Sequence, residues 1–191
     1  MMTPRTDWND PPSDGWTVDD LDRLPRDGHR RELIDGALLV GPHPGQLHEA
    51  VVALLRAKIG SRCPPGHAVV HDIEVCFSAS RCFSPDVAVI LTGADPRRAA
   101  RLAPRDVLIA MEVVAPTSLL MDRITKPALY AAAGIPYYWR VETDGGVEVS
   151  TYRLDLVDEV YRQTGEFRDA VDVPVPWRIE IPITEITPPG L

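Results

Sequence analysis

The sequence predicts a mixed α/β fold with a central β-sheet flanked by helices. Residues 107–114 form an almost continuously apolar run, the pattern of a strand buried on both faces. Residues 46–59 instead repeat with helical spacing, placing Leu47, Val51, Leu54 and Ile59 on one side. Around these lie short strand-like segments bounded by Pro and Gly. The resulting order is helix, hairpin, helix, three strands, helix, then further strands, which fits one sheet covered by helices.

Each element has a local reason. Thr17, Asp19 and Asp20 are the cap and acidic first turn of a short helix that carries Leu21 and Leu24. Residues 31–34 read as a strand, and Asp35-Gly36 is a two-residue turn into Leu38-Leu39-Val40. Gly60 and Cys63-Pro64-Pro65-Gly66 end the long helix. Residues 68–77 alternate as one strand, with Val69, His71, Ile73, Val75 and Phe77 on one face. Pro85 suits the start of the next strand, which runs to Leu91. Residues 92–105 read as an arginine-rich loop with room for a short helix. The helix after Ser118 stops at Gly134. Inside it, Pro127 removes a hydrogen bond and pushes Lys126 away from α geometry, so the helix kinks or restarts there. Residues 136–141 and 147–153 are strands around an Asp144-Gly145-Gly146 turn, and 154–191 supplies two or three more. Residues 1–16 are expected to be a flexible tail, and 17–191 a single domain.

Composition sets wide bounds. With 191 residues, 45% hydrophobic and 25% charged, the chain resembles an ordinary globular protein. Its longest apolar runs, about eight residues, are too short to span a membrane, and the N-terminus lacks the apolar core of a secretion signal. Cys63, Cys76 and Cys82 are odd in number and lack C-x-x-C spacing, so reduced thiols and a cytoplasmic location are expected. A net charge of −8 argues against a broad nucleic-acid footprint but leaves room for a small metal site. Arg97, Arg98, Arg101 and Arg105 are the one dense basic stretch, either a solvated loop face or a guide for a DNA backbone.

The chemistry concentrates in a few side chains. Asp86 opens one strand, and Glu112 interrupts the apolar run of another. Two ionised carboxylates buried side by side are costly unless a cation compensates them, and a divalent metal is the usual one. Glu112 either pairs with a cation such as Arg140 or ligates that metal. Lys126 shares a helix face with Asp122 and Tyr130; it forms a surface ion pair with Asp122 or reaches over the sheet edge to a scissile phosphate or a metal-bound water. Glu32 alternates with Ile34 and can face the same cleft. His48, at the start of the long helix, is a packing or capping residue or a ligand.

Taken in order, several motifs resemble one family. They are Arg31-Glu32-Leu33-Ile34-Asp35-Gly36, His48, Pro85-Asp86-Val87-Ala88-Val89, Glu112-Val113-Val114-Ala115-Pro116-Thr117, Asp122 with Lys126 and Tyr130, and Ala133-Gly134-Ile135-Pro136-Tyr137-Tyr138-Trp139. Over roughly 16–153, and more weakly to 186, the chain is similar to the Uma family, described as putative restriction endonucleases, within the PD-(D/E)XK superfamily. The resemblance implies a restriction endonuclease-like core with an N-terminal hairpin and extra C-terminal strands. It implies that Asp86 and Glu112 are the paired acids and Glu32 the upstream glutamate. Val114 stands where the superfamily's usual lysine would be, and Lys126 replaces it from the next helix. Ala37, Ala115 and Pro127 depart from the family pattern. The implied cofactor is Mg²⁺, or Mn²⁺, held by Asp86, Glu112, the Val113 carbonyl and Glu32, with His48 auxiliary. The implied substrate is DNA; because cutting both strands generally needs two active sites, a homodimer is expected, with Tyr137-Tyr138-Trp139 and the C-terminal strands as its contact. The alternatives are a nuclease-fold binding or assembly protein without catalysis, and a hydrolase of small phosphoesters.

Overall fold

The computed structural model describes residues 11–25, 27–42, 44–93 and 101–190. Helix α1 (Val18–Leu21) starts where Thr17 caps it: the Asp20 carboxylate accepts from the Thr17 N–H at 3.0 Å and from its hydroxyl at 2.6 Å. Strands β1 (Arg30–Ile34) and β2 (Ala37–Gly41) form the expected hairpin, with Ile34 opposite Ala37. Asp35 and Gly36 both have positive φ, 49° and 85°, as the tight turn requires. Trp16, the last residue of the expected tail, is buried, and its N–H donates to the Gly36 carbonyl at 2.8 Å. Helix α2 (Gln46–Arg62) absorbs Gly60 and ends only at the Cys63-Pro64-Pro65 stretch.

The alternating run 68–77 is two strands, not one. At Asp72, φ of 52° turns the chain, separating β3 (His67–Val70) from β4 (Val75–Ser78), and these join different sheets. Strand β5 (Arg81–Phe83) pairs back on β4 and leads through Ser84 and Pro85 into β6 (Val87–Leu91). Arg97 and Arg98 lie outside the described residues. Arg105 is exposed, whereas Arg101 is committed to Asp22 at 2.8 Å and Glu74 at 2.6 Å. Strand β7 (Val107–Val113) is followed by helix α3 (Lys126–Ala132), β8 (Tyr137–Glu142), β9 (Glu148–Asp155), β10 (Val160–Phe167), β11 (Ala170–Val173) and β12 (Ile179–Pro182).

The central sheet has the order β10-β9-β8-β7-β6-β3 and is mixed: β7 and β8 run parallel, joined through α3, and the other neighbours are antiparallel. The hairpin belongs to a second, four-stranded sheet, β2-β1-β5-β4, and β11–β12 form a separate ribbon. Period-two alternation sorts the central strands. Val87, Val89, Ile109, Met111 and Val113 pack with Val51, Leu55 and Ile59 of α2 and with the ribbon. Ala88, Ile90 and Ala110 face the other way, toward Phe83 of β5 and Tyr130 of α3.

Two expectations fail here. Cys76 and Cys82 are joined by a disulfide across the β4–β5 hairpin, leaving Cys63 as a free thiol; sequence spacing gives no warning of a bond that depends on strands pairing opposite each other. Tyr138 and Trp139, expected at a dimer contact, are buried in an interior strand. No helix among the described residues is long and apolar enough to cross a membrane.

Candidate active site

Strand register brings the two acids together. Val87 pairs with Met111, so continuing the ladder by one residue sets Asp86 beside Glu112. The Val113 N–H donates to Asp86 Oδ2 at 2.8 Å, fixing the carboxylate at the strand end. On the same oxygen, His48 Nε2 of α2 lies 3.1 Å away. Glu112 follows Ala110 on the α3 face of β7 and is fully buried. Glu32 reaches in from β1, where the Ser84 N–H donates to its Oε1 at 3.1 Å.

Lys126 points into this group, and the chain preserves its helical geometry despite Pro127. Residues Met121–Thr125 form a π turn, the Lys126 N–H donating to the Met121 carbonyl five residues back. Widening the turn gives the proline ring space that a regular α turn lacks. Lys126 therefore keeps φ −61° and ψ −47°, and α3 begins with it, Pro127 occupying the second position. Its Nζ lies 3.0 Å from Glu32, 3.2 Å from Glu112 and 3.4 Å from Asp122. One turn later, the Tyr130 hydroxyl donates to Glu112 Oε1 at 2.6 Å. The pairing of Lys126 with Asp122 is thus buried and not a surface contact. Arg140 is not the partner of Glu112: its Nε lies 3.1 Å from Glu142 and its guanidinium covers the Tyr152 ring.

Two further residues, Asp122 and Arg30, belong to the cluster. Asp122 is buried, held by the Ser118 hydroxyl and, through its carbonyl, by the Tyr138 hydroxyl at 2.5 Å. Arg30 is the larger omission. Its Nη1 donates to Asp86 Oδ1 at 2.6 Å; its Nη2 donates to the Ser84 carbonyl and lies 3.4 Å from Glu32 and 4.0 Å from Glu112. The strand begins one residue earlier than the sequence predicts, at Arg30, which puts Arg30 and Glu32 on one face.

These contacts polarise the acids differently. Burial favours a proton on Asp86, but its hydrogen bond to His48 and the charge of Arg30 outweigh this and hold it below the usual carboxylate range. Burial dominates at Glu112 and pushes it well above that range, against the pull of Lys126. Burial also raises Asp122. For Lys126 burial favours the neutral amine, yet Glu112 and Glu32 prevail and keep it charged. His48 is likewise raised, burial being outweighed by Asp86.

The cluster contains four carboxylates, Glu32, Asp86, Glu112 and Asp122, against two cations, Arg30 and Lys126. Burial shifts Glu112 and Asp122 toward their protonated forms, but all four acids offer hard oxygen donors, the donor type that a divalent cation such as Mg²⁺ or Mn²⁺ takes. The acids are not drawn to a common point: among the described residues, the three ligand-type side chains gathered within 4.8 Å are Glu74, Cys76 and Cys82, and both of those sulfurs are in the disulfide. Arg30 stands between the acids instead. It lines a cleft of about 270 Å³ with Glu32, His48 and Lys126, and a second of about 320 Å³ with His48 and Asp86.

The mixed sheet with this hairpin, crossover and acid–lysine cluster matches the restriction endonuclease-like core that the family resemblance implies. The family model described as Uma2, putative restriction endonuclease, matches residues 18–181, and the chain belongs to that family. A solved structure from Anabaena variabilis, described as a putative nuclease belonging to DUF820, is similar in fold, with a TM-score of 0.67 and 19% identity over 89% of this chain and 96% of that one. A search of curated proteins finds no match.

Proposed function

We propose that the protein is a metal-dependent endonuclease that hydrolyses phosphodiester bonds in DNA. The observation that carries this reading is the buried cluster in which Arg30 links Asp86, Glu32 and Glu112 while Lys126 meets Glu32 and Glu112, on a chain of a family described as putative restriction endonucleases. Asp86, Glu112 and Glu32, with the Val113 carbonyl, would hold Mg²⁺ or Mn²⁺, which supplies Lewis-acid polarisation of the phosphate and a more acidic bound water. Lys126 stays protonated, so its role is to donate to the phosphate oxygens as negative charge builds on them, not to act as a base. Tyr130 fixes the rotamer of Glu112, while His48 and the Val113 N–H fix that of Asp86. Ala115 and Met121 line the cleft beside these polar groups. Cutting both strands needs two such sites, which favours a homodimer on DNA.

Supercoiled plasmid incubated with purified protein should be nicked in Mg²⁺ or Mn²⁺ and left intact in chelator. Hydrolysis of bis(p-nitrophenyl) phosphate with intact plasmid would point to small phosphoesters instead. Inertness toward both substrates in either metal would favour a binding protein on a nuclease scaffold.

A further inference from the structure

Arg30 occupies an unusual position for a residue outside the expected ligand set. Its guanidinium touches Asp86 and approaches both Glu32 and Glu112, the three side chains that would hold a metal. The Ser84 carbonyl anchors Nη2 on its inner side. A guanidinium is a flat fork of donors suited to several carboxylates at once. Here it separates the acids, keeps them from gathering on one point and offsets one unit of their charge. It is also reachable: Arg30 begins β1, its side chain is 24% exposed, and it lines the wall between the two clefts, so space exists on either side for the head group to move. Lys126 differs. It is 3% exposed, held by Glu32, Glu112 and Asp122, and lines one of the two clefts, not both.

We propose that Arg30 is a resident counter-cation that an incoming divalent metal must displace, so that metal affinity is set by competition with this side chain. The inference rests on the metal site proposed above. Without metal, the guanidinium keeps the acid cluster folded and compensated. With metal, Asp86 and Glu112 exchange it for the ion, and the freed guanidinium faces the cleft, where an anionic phosphate is its natural partner. Metal and phosphodiester would then favour one another's binding, since each stabilises the arrangement in which Arg30 has left the acids.

Mn²⁺ titration followed by calorimetry and electron paramagnetic resonance tests this without any cleavage readout. Arg30→Ala should bind Mn²⁺ at least about tenfold more tightly than wild type, a difference of ~1.4 kcal/mol. Millimolar methylguanidinium should re-enter the vacated space and raise the apparent Kd of Arg30→Ala in proportion to its concentration, while leaving wild type unchanged. That competition separates displacement from a general loss of positive charge. If Arg30→Ala fails to fold, Arg30→Lys decides the matter: its point charge cannot span Asp86, Glu32 and Ser84 together, and a severalfold gain in Mn²⁺ affinity is expected. Equal or weaker Mn²⁺ binding by these variants than by wild type, or no effect of methylguanidinium on Arg30→Ala, would overturn the proposal. Folded wild type and variants that all fail to bind Mn²⁺ would show that the metal site itself is wrong, a distinct failure that removes the Arg30 role with it.

Discussion

On the side of the central sheet that meets α2, strands β6 and β7 present Val87, Val89, Ile109, Met111 and Val113; on the side that meets α3, the same strands present Ala88, Ile90, Ala110 and then Glu112. The first face packs on Val51, Leu55 and Ile59 and is apolar at these five positions. The second starts apolar and ends in a buried cluster of four acids with Arg30 and Lys126. The difference teaches how one alternating strand divides its tasks. One face provides apolar burial at about 25 cal/mol per Å², and the other holds charge that a purely stabilising design would replace with hydrocarbon.

Breaking the charged face should destroy activity first. Asp86→Ala removes the group that Arg30, His48 and the Val113 N–H all address, and metal-dependent plasmid nicking should fall below detection. Lys126→Met keeps the stem but removes the charge, and single-turnover cleavage should slow by roughly 10²–10³, the loss typical of one donor to developing negative charge. The apolar face should respond in the opposite currency of effects. Leu55→Ala should cost about 2–5 kcal/mol in chemical denaturation, while the folded fraction still nicks plasmid at the wild-type rate. Tyr130→Phe deletes one donor to buried Glu112, and a smaller loss of about 1–3 kcal/mol in stability is expected from denaturant midpoints.

The pH dependence sharpens the same contrast within the charged face. Asp86 is held low, so its contribution to stability is present above the ordinary aspartate pKa of 3.8 and is lost as pH falls through the depressed value. Glu112 is held high, so its contribution is present below the ordinary glutamate pKa of 4.5 and is lost as pH rises toward the elevated one. Metal-free protein should therefore lose melting temperature on raising pH above about 4.5. Glu112→Gln should reduce that loss, because an amide has no proton to give up, and leave the share that Asp122 and His48, both also raised, contribute.

Much of this organisation is readable in the chain, and what is not has physical causes. Glu112 stands out because a lone acid in an apolar run demands a partner. The Asp35-Gly36 hairpin is readable because few residue pairs adopt two successive positive φ values. The break between β3 and β4 is not, since it depends on Asp72 turning left-handed within an otherwise perfect alternation. Asp122 looks like a surface partner of Lys126 because helical spacing reveals which residues share a face, not which face is buried. Arg30 is hidden for a related reason: with Arg31 beside it, the pair resembles ordinary surface charge until β1 is docked against β5. Pro127 misleads about Lys126 because the π turn that accommodates it has no compositional signature.

The most direct test is plasmid cleavage by Glu112→Gln in Mg²⁺. This change preserves side-chain shape in a fully buried position and leaves the α2 face untouched. The account predicts a folded protein, at least as stable as wild type without metal at neutral pH, that has lost metal-dependent nicking. A folded Glu112→Gln protein that nicks supercoiled plasmid at the wild-type rate would contradict it.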